Sequence, residues 1–393
     1  MIATFPEQRE AKRRALLDAV ESLRDVFLAG ADEAEATGTL PQATVDAIYE
    51  SGLFSYKTAQ VLGGAEADAM IQLDVIEAAS RIEPSAGWCL MIGAGTLSGM
   101  AAFLSDEAID EIFVGGNAPL MAGVTAPSGE ATPVEGGYRV SGRWSFASGI
   151  RHSEWVGFGA MVVGGDSEPP QQVRAVVPTS QVQIHDNWHV VGLRGTGSCE
   201  FSLADVFVPQ RFTWGGADAM PLRGGPNFLL GRPGMQTTGH SGFALGVGRR
   251  ALDAVTELAQ SKKRGYQGTE MLVADRGSFQ RFLGESDLRL RAAKALCMET
   301  IEEAWESVCQ GVTPPPPLQI RLRASGTYST EAAADVVSQA FRFGGGTAMY
   351  NSHVLQKCLR DINASAQHQM VSDRAYENHG QFILGFPGAN PMG

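Results

Sequence analysis

The stretch Gly136-Gly137-Tyr138-Arg139-Val140-Ser141-Gly142-Arg143-Trp144-Ser145-Phe146-Ala147-Ser148-Gly149 decides how the rest of the chain is read. Tyr138, Val140, Trp144 and Phe146 occupy even positions, and Arg139, Ser141, Arg143 and Ser145 odd ones. Alternation with a period of two, entered through a Gly-Gly turn, predicts a half-buried β-strand. At its end a hydroxyl and a glycine, Ser148 and Gly149, follow two aromatics. An apolar wall with one hydroxyl and an approachable backbone suits a planar heteroaromatic cofactor. Plain β-structure accounts for the same pattern, with Ser148 capping the strand's final turn.

Further alternating runs lie at 154–162, 173–178 and 199–208. Between them stand turn-formers such as Gly164-Gly165-Asp166-Ser167 and Pro169-Pro170. These predict an antiparallel β-domain over 118–223. The flanks read as helical. In the N-terminal part, 1–117, Leu16, Val20, Leu23 and Phe27 form one apolar stripe. Leu40-Pro41 and Gly52-Leu53 bracket a short second helix. Gly87 to Phe103 is apolar nearly all round and predicts a helix buried on most sides. In the C-terminal part, 224–393, helical patterning covers about 236–262, 270–311, 317–342 and 350–375. Four long helices predict a bundle, with Pro314-Pro315-Pro316-Pro317 separating two of them. Helices, then strands, then helices is an α+β order.

The 393 residues suit two or three subdomains. A formal net charge of −12 disfavours nucleic acid and anionic membranes as partners. No run of eighteen apolar residues and no signal-peptide pattern opens the chain, so a cytoplasmic protein is the expectation. The five cysteines show neither Cys-x-x-Cys pairing nor zinc-like spacing. Nor is there a Gly-x-Gly-x-x-Gly turn after a strand, a Walker lysine loop, a His-Glu-x-x-His metal motif or a Gly-x-Ser-x-Gly elbow. Nicotinamide, nucleotide, metal and serine-hydrolase chemistries therefore lack support.

Three other stretches accompany the opening one in order and spacing. They are Glu83-Pro84-Ser85-Ala86-Gly87-Trp88, then Trp188-His189-Val190-Val191-Gly192-Leu193-Arg194-Gly195-Thr196-Gly197-Ser198 leading into Asp205-Val206-Phe207-Val208-Pro209, and Leu359-Arg360-Asp361-Ile362 with His368 beyond it. Together they resemble the acyl-CoA dehydrogenase superfamily, and more closely its two-component flavin-dependent monooxygenase branch. The resemblance implies an N-terminal helical domain, a central β-domain and a C-terminal four-helix bundle that assembles as a homotetramer, with a homodimer as fallback. It also implies reduced flavin (FADH2 or FMNH2) and O2 as cofactor and co-substrate, and a separate NAD(P)H:flavin reductase.

The resemblance leaves dehydrogenation and oxygenation open, and the acids separate them. A dehydrogenase needs a carboxylate base beside the flavin. Ala364 to Met370 and Pro233 to Ala251, the two places where relatives keep that glutamate, contain no Asp or Glu. Glu377 lies well beyond the matching position and reads as a solvated or capping residue. The hydroxylase branch carries histidine at the position of His368. Hydroxylation of an aromatic or polycyclic substrate through a C4a-hydroperoxyflavin is the leading expectation. Oxygenation at nitrogen or sulfur comes next, and acyl-CoA dehydrogenation after it.

On the resemblance, Ser148 accepts the flavin N5–H hydrogen bond and His368 is the base that takes a phenolic proton. Thr125 touches the flavin edge, while Trp144 and Phe146 lie near the isoalloxazine. Arg264 meets the cofactor's phosphate from a neighbouring subunit, and Gly344, Gly345 and Gly346 permit close backbone approach. Trp88 lines the substrate pocket or fills the core. Trp188, His189 and Arg194 read as structural.

Overall fold

Gly137–Ala147 forms a strand, as its alternation predicts. Among the described residues it is one of the seven strands of the larger sheet: β1 (Met121–Val134), β2 (Gly137–Ala147), β3 (Trp155–Val162), β4 (Gln172–Pro178), β5 (Gln183–His185), β6 (Cys199–Pro209) and β7 (Thr213–Gly215). They make a single sheet in the order β5-β6-β2-β1-β3-β4-β7. The antiparallel expectation needs one correction, because β1 runs parallel to β3. β1 itself went unpredicted. Gly123, Pro127, Gly129 and Pro133 give its sequence the look of a loop. It is a strand because β2 and β3 flank it, and a bulge between Val124 and Gly129 absorbs the irregularity.

The computed structural model describes residues 5–164, 171–215 and 219–392. The expected turn-formers from Gly165 to Pro170 lie outside the described residues. By internal contacts the chain divides into two units. The first comprises residues up to Ala67, Trp88–His189 and Arg194–Phe228. The second comprises Asp68–Gly87, Val190–Leu193 and Leu229 onward. The ranges 1–117, 118–223 and 224–393 are, by contrast, a division by type of secondary structure.

The helices before the sheet are α1 (Arg9–Ser22), α2 (Arg24–Thr37), α3 (Gln42–Glu50), α4 (Ala69–Ile82), α5 (Pro84–Phe103) and α6 (Asp106–Ile112). In the first unit Leu97 and Met100 of α5, Leu104 just after it and Ile109 of α6 share one core with the sheet residues Trp144, Phe158, Val176 and Phe201. Trp144 stacks on Phe201 at 5.1 Å. The indole lies across Gly129 and Gly142, which are paired in β1 and β2, and a Cβ on either would collide with it. By length and composition α5 could cross a membrane, but 72% of its apolar window is buried inside the fold.

The second unit joins α4 to α7 (Gly231–Ser261), α8 (Gly277–Cys309), α9 (Pro316–Gly344), α10 (Val354–Ser365) and α11 (Arg374–Ile383). Pro316 and Pro317 start α9, where the first-turn N–H groups lack intrahelical partners anyway. Gly242 and Gly246 let α7 approach α4 closely. A Cβ on Gly242 would sit 2.6 Å from the Leu73 carbonyl, and one on Gly246 2.8 Å from Ser80 Cβ. The fourth expected helix, 350–375, is broken. α10 stops at Ser365, a 3-10 turn spans Gln369–Val371, and α11 follows.

Candidate functional site

In the first unit, strand β2 ends irregularly. Trp144 pairs with Phe201 and Ala147 with Cys199, so three steps on β2 face two on β6. Phe146 absorbs the mismatch with a left-handed φ of +72°. For an aromatic residue this is a strained conformation. The reversal turns Phe146 outward, 71% exposed, where alternation had placed it inward. Its edge meets Trp188 at 6.2 Å, so the tryptophan read as structural touches a candidate site residue.

Ser148, just beyond the bulge, is buried and bonds side chains rather than capping its strand. Trp88 Nε1 donates to Ser148 Oγ at 3.0 Å. Ser148 Oγ is 2.7 Å from Ser198 Oγ, which is 2.6 Å from Thr196 Oγ1. The Gly149 N–H donates to the Thr196 carbonyl at 2.9 Å, and Cys89 Sγ donates to the same oxygen at 3.7 Å. A serine hydroxyl has one proton and two lone pairs. With the Trp88 N–H on one lone pair and Ser198 on a second position, the hydroxyl keeps one hydrogen-bonding position.

Trp144 is corrected from cofactor contact to core. It is fully buried among Phe158 and Phe201, and its Nε1 donates to the Gly159 carbonyl at 2.8 Å. Thr125, in contrast, is exposed within the β1 bulge. Trp88 is buried, and its indole N–H is hydrogen-bonded to Ser148.

In the second unit the remaining parts of the sequence motifs converge on Lys357. Its ammonium lies 3.0 Å from Glu83 and 2.9 Å from Asp361, all three side chains being buried. The Leu193 N–H donates to Asp361 Oδ1 at 2.6 Å, holding Leu193 at a left-handed φ of +54°. Glu83 Oε2 accepts from the Ala86 N–H at 2.7 Å at the start of α5. Arg360 Nη1 donates to the Val191 carbonyl at 2.7 Å. Gly192 lies against the Arg360 backbone, with no room for a Cβ. Burial pushes the Cys358 thiol up to about 12, so it stays protonated and inert.

His368 occupies the break after α10. Its Nδ1 accepts from the Met370 N–H at 3.2 Å, so the histidine caps the 3-10 turn. Its ring lies 4.3 Å from that of His240 on α7. Burial, and then the positive charge of Arg232, hold its pKa at about 4. The imidazole is therefore neutral near pH 7. With Nδ1 accepting, its proton sits on Nε2, which makes that nitrogen a donor. The two acid-free stretches noted in the sequence thus meet, and an imidazole from each stands at the meeting point. Sequence reasoning missed His240, which lies in a run of small, buried residues.

Arg264 and Gly345 also come together. The Arg264 guanidinium lies against Gly345, whose φ of +55° suits glycine and where a Cβ would collide with it. Lys262 Nζ donates to the Gly344 carbonyl and to Thr347 Oγ1, each at 2.6 Å. Two cations therefore gather at the C-terminal end of α9, where the helix dipole favours positive charge.

Residues 238–373 match the acyl-CoA dehydrogenase C-terminal domain family. Over 379 residues the chain is 32% identical to an indole-3-acetate monooxygenase of Pseudomonas putida, covering 94% of this chain and 92% of that protein. The structure of XiaF from Streptomyces sp., in complex with FADH2 and glycerol, matches with a TM-score of 0.85 and 28% identity over 95% of this chain and 96% of that one. The HsaA monooxygenase of M. tuberculosis matches with a TM-score of 0.86 and 25% identity, covering 95% and 98%.

Proposed function

The chain belongs to the flavin-dependent monooxygenases built on the acyl-CoA dehydrogenase fold, and from that premise we propose that it hydroxylates an aromatic or polycyclic compound, using reduced flavin delivered by a separate NAD(P)H:flavin reductase. The observation that carries this reading is the meeting of His240 and His368 where a dehydrogenase would need a carboxylate. FADH2 or FMNH2, when bound, supplies the electrons that reduce O2, so that one oxygen atom can pass to substrate.

The chain's own residues fit such a group. The position left on Ser148 suits the flavin N5–H when the serine's own proton goes to Ser198. Trp88 and Ser198 fix the hydroxyl's direction without adding charge. Phe146 offers an exposed aromatic face, and Thr125 an exposed hydroxyl for the flavin edge. Arg264 beside Gly345 and Gly346 suits the cofactor's phosphate.

His368 has a different job from the one its residue type suggests. A general base needs a lone pair on the nitrogen facing the substrate, and Met370 fixes the opposite tautomer. The geometry supports a neutral Nε2–H donor that orients a phenolic oxygen and stabilises its anion. Met349, Tyr350, Ile383, Leu384 and Phe386 leave large apolar side chains exposed in the second unit. They support a homotetramer, with a dimer as fallback; a monomer in light scattering contradicts this.

The test of function is reconstitution. The purified chain alone should not oxidise NADH. With a flavin reductase and free flavin it should insert one atom of 18O2 into an aromatic substrate. Substrate-dependent NADH oxidation without a reductase would overturn the two-component reading. Flavin-dependent oxidation of an acyl thioester would restore the dehydrogenase.

A further inference from the structure

Within the first unit lies a cavity of about 20 Å³, lined by Leu40, Val45, Phe54, Cys89, Leu120 and Met121 and reaching Ser148. A space of this size holds a molecule only slightly larger than water. Water needs two to four polar partners, and the polar groups in this wall are engaged with protein. His152 Nε2 lies 3.0 Å from Thr39 Oγ1. Ser153 Oγ donates to the Ile150 carbonyl at 2.9 Å and lies 3.0 Å from Thr179 Oγ1. The Gly149 N–H is bonded to the Thr196 carbonyl at 2.9 Å. Burial lowers the pKa of His152, which keeps the wall uncharged at neutral pH. Leu40, Val45, Phe54, Leu120 and Met121 make the lining predominantly apolar, so the space suits a small apolar guest.

We propose that this cavity is a dioxygen pocket, from which O2 reaches the reduced flavin beside Ser148. The inference rests on the reading of Ser148 as a flavin contact. O2 is apolar, close in size to the space, and gains by leaving water. Ser148 is part of the pocket's lining.

Xenon and stopped-flow kinetics test the proposal together. Wild-type crystals under xenon pressure should bind one xenon atom among Val45, Phe54 and Cys89, and Val45→Phe should bind none. On mixing flavin-reduced protein with O2, Val45→Phe should slow second-order reoxidation by about five-fold or more. Its affinity for reduced flavin should not change. Should Val45→Phe fail to fold, Leu120→Phe narrows the same space. An empty cavity under xenon overturns the proposal. Xenon binding with an unchanged reoxidation rate in the variant overturns the oxygen role alone. Xenon binding in a wild-type protein that does not bind reduced flavin overturns the functional reading, and the oxygen role with it.

Discussion

The four sequence motifs come together as two clusters of opposite character. In the second unit, Glu83, Lys357 and Asp361 form a buried ionic cluster whose charges are paired within this chain. Lys357 lies 3.0 Å from Glu83 Oε1 and the Ala86 N–H donates to Glu83 Oε2, while Lys357 and the Leu193 N–H take the oxygens of Asp361. In the first unit, Trp88, Ser148, Thr196 and Ser198 form a neutral cluster in which Ser148 keeps one hydrogen-bonding position in reserve. Charges paired in this way hold their own chain in place. A hydroxyl with residual hydrogen-bonding capacity can also hold a ligand. Similar motif strength in the sequence is therefore compatible with different jobs, one in folding and, in the function proposed above, one in cofactor handling.

The sharpest way to break this contrast is Lys357→Met. It strands two carboxylates in the interior, and removing one partner of such a cluster costs about 3–5 kcal/mol. Denaturant unfolding should show that loss. A cost below about 1 kcal/mol would mean that the cluster is not the structural one.

His368 gives the next largest effect. Its folded pKa, about 4, lies below the usual histidine value of about 6.5. The unfolded chain therefore takes up the proton first as the pH falls. Stability from this group is fully present above about pH 6.5 and is lost progressively down to about pH 4, by up to about 3 kcal/mol. His368→Asn should flatten that part of the stability–pH curve. An unchanged curve would show that the imidazole is not held neutral by burial.

Ser148→Ala should have the smallest effect on stability, about 1–2 kcal/mol, because Trp88 and Ser198 lose a neutral partner. Its effect on oxygen use should be larger in kind. Losing a bond worth about 1–3 kcal/mol to the cofactor should raise the rate of uncoupled hydrogen peroxide release roughly five- to a hundred-fold in the reconstituted system, and with it the peroxide released per NADH. Unchanged coupling would place the neutral cluster beside the ionic one as a purely structural device.

Much of this was legible in the sequence. Helical runs, the β2 alternation and the motif spacing all rest on local patterns. What was not legible depends on partners distant in the chain. The strand β1 needs β2 and β3 to override its glycines and prolines. Phe146 needs the unequal pairing of β2 with β6 to turn outward. Lys357 alone resembles any solvated lysine, although Asp361 one turn later was a signal of an i,i+4 pair. The break before His368 has no glycine or proline to announce it, because the histidine itself caps the new turn. The proposed donor role of His368 departs from the base reading for the same reason: residue type suggests proton transfer, while the Met370 N–H on Nδ1 favours the Nε2–H tautomer.

The close seam between α4 and α7 carries a consequence for biosynthesis. α4 ends at Ile82 and α7 begins at Gly231, with Trp88–His189 and Arg194–Phe228 of the first unit encoded between them. At ribosomal speeds of about 5–20 residues per second, that interval takes roughly 7–30 s. Throughout it the nascent α4 carries the apolar face that Gly242 and Gly246 will later cover. The second unit is thus the last to be finished, although its first helix is among the first made. Its hazard is a waiting helix, and chaperone capture at Ala69–Ile82 during translation is where a cell would have to meet it.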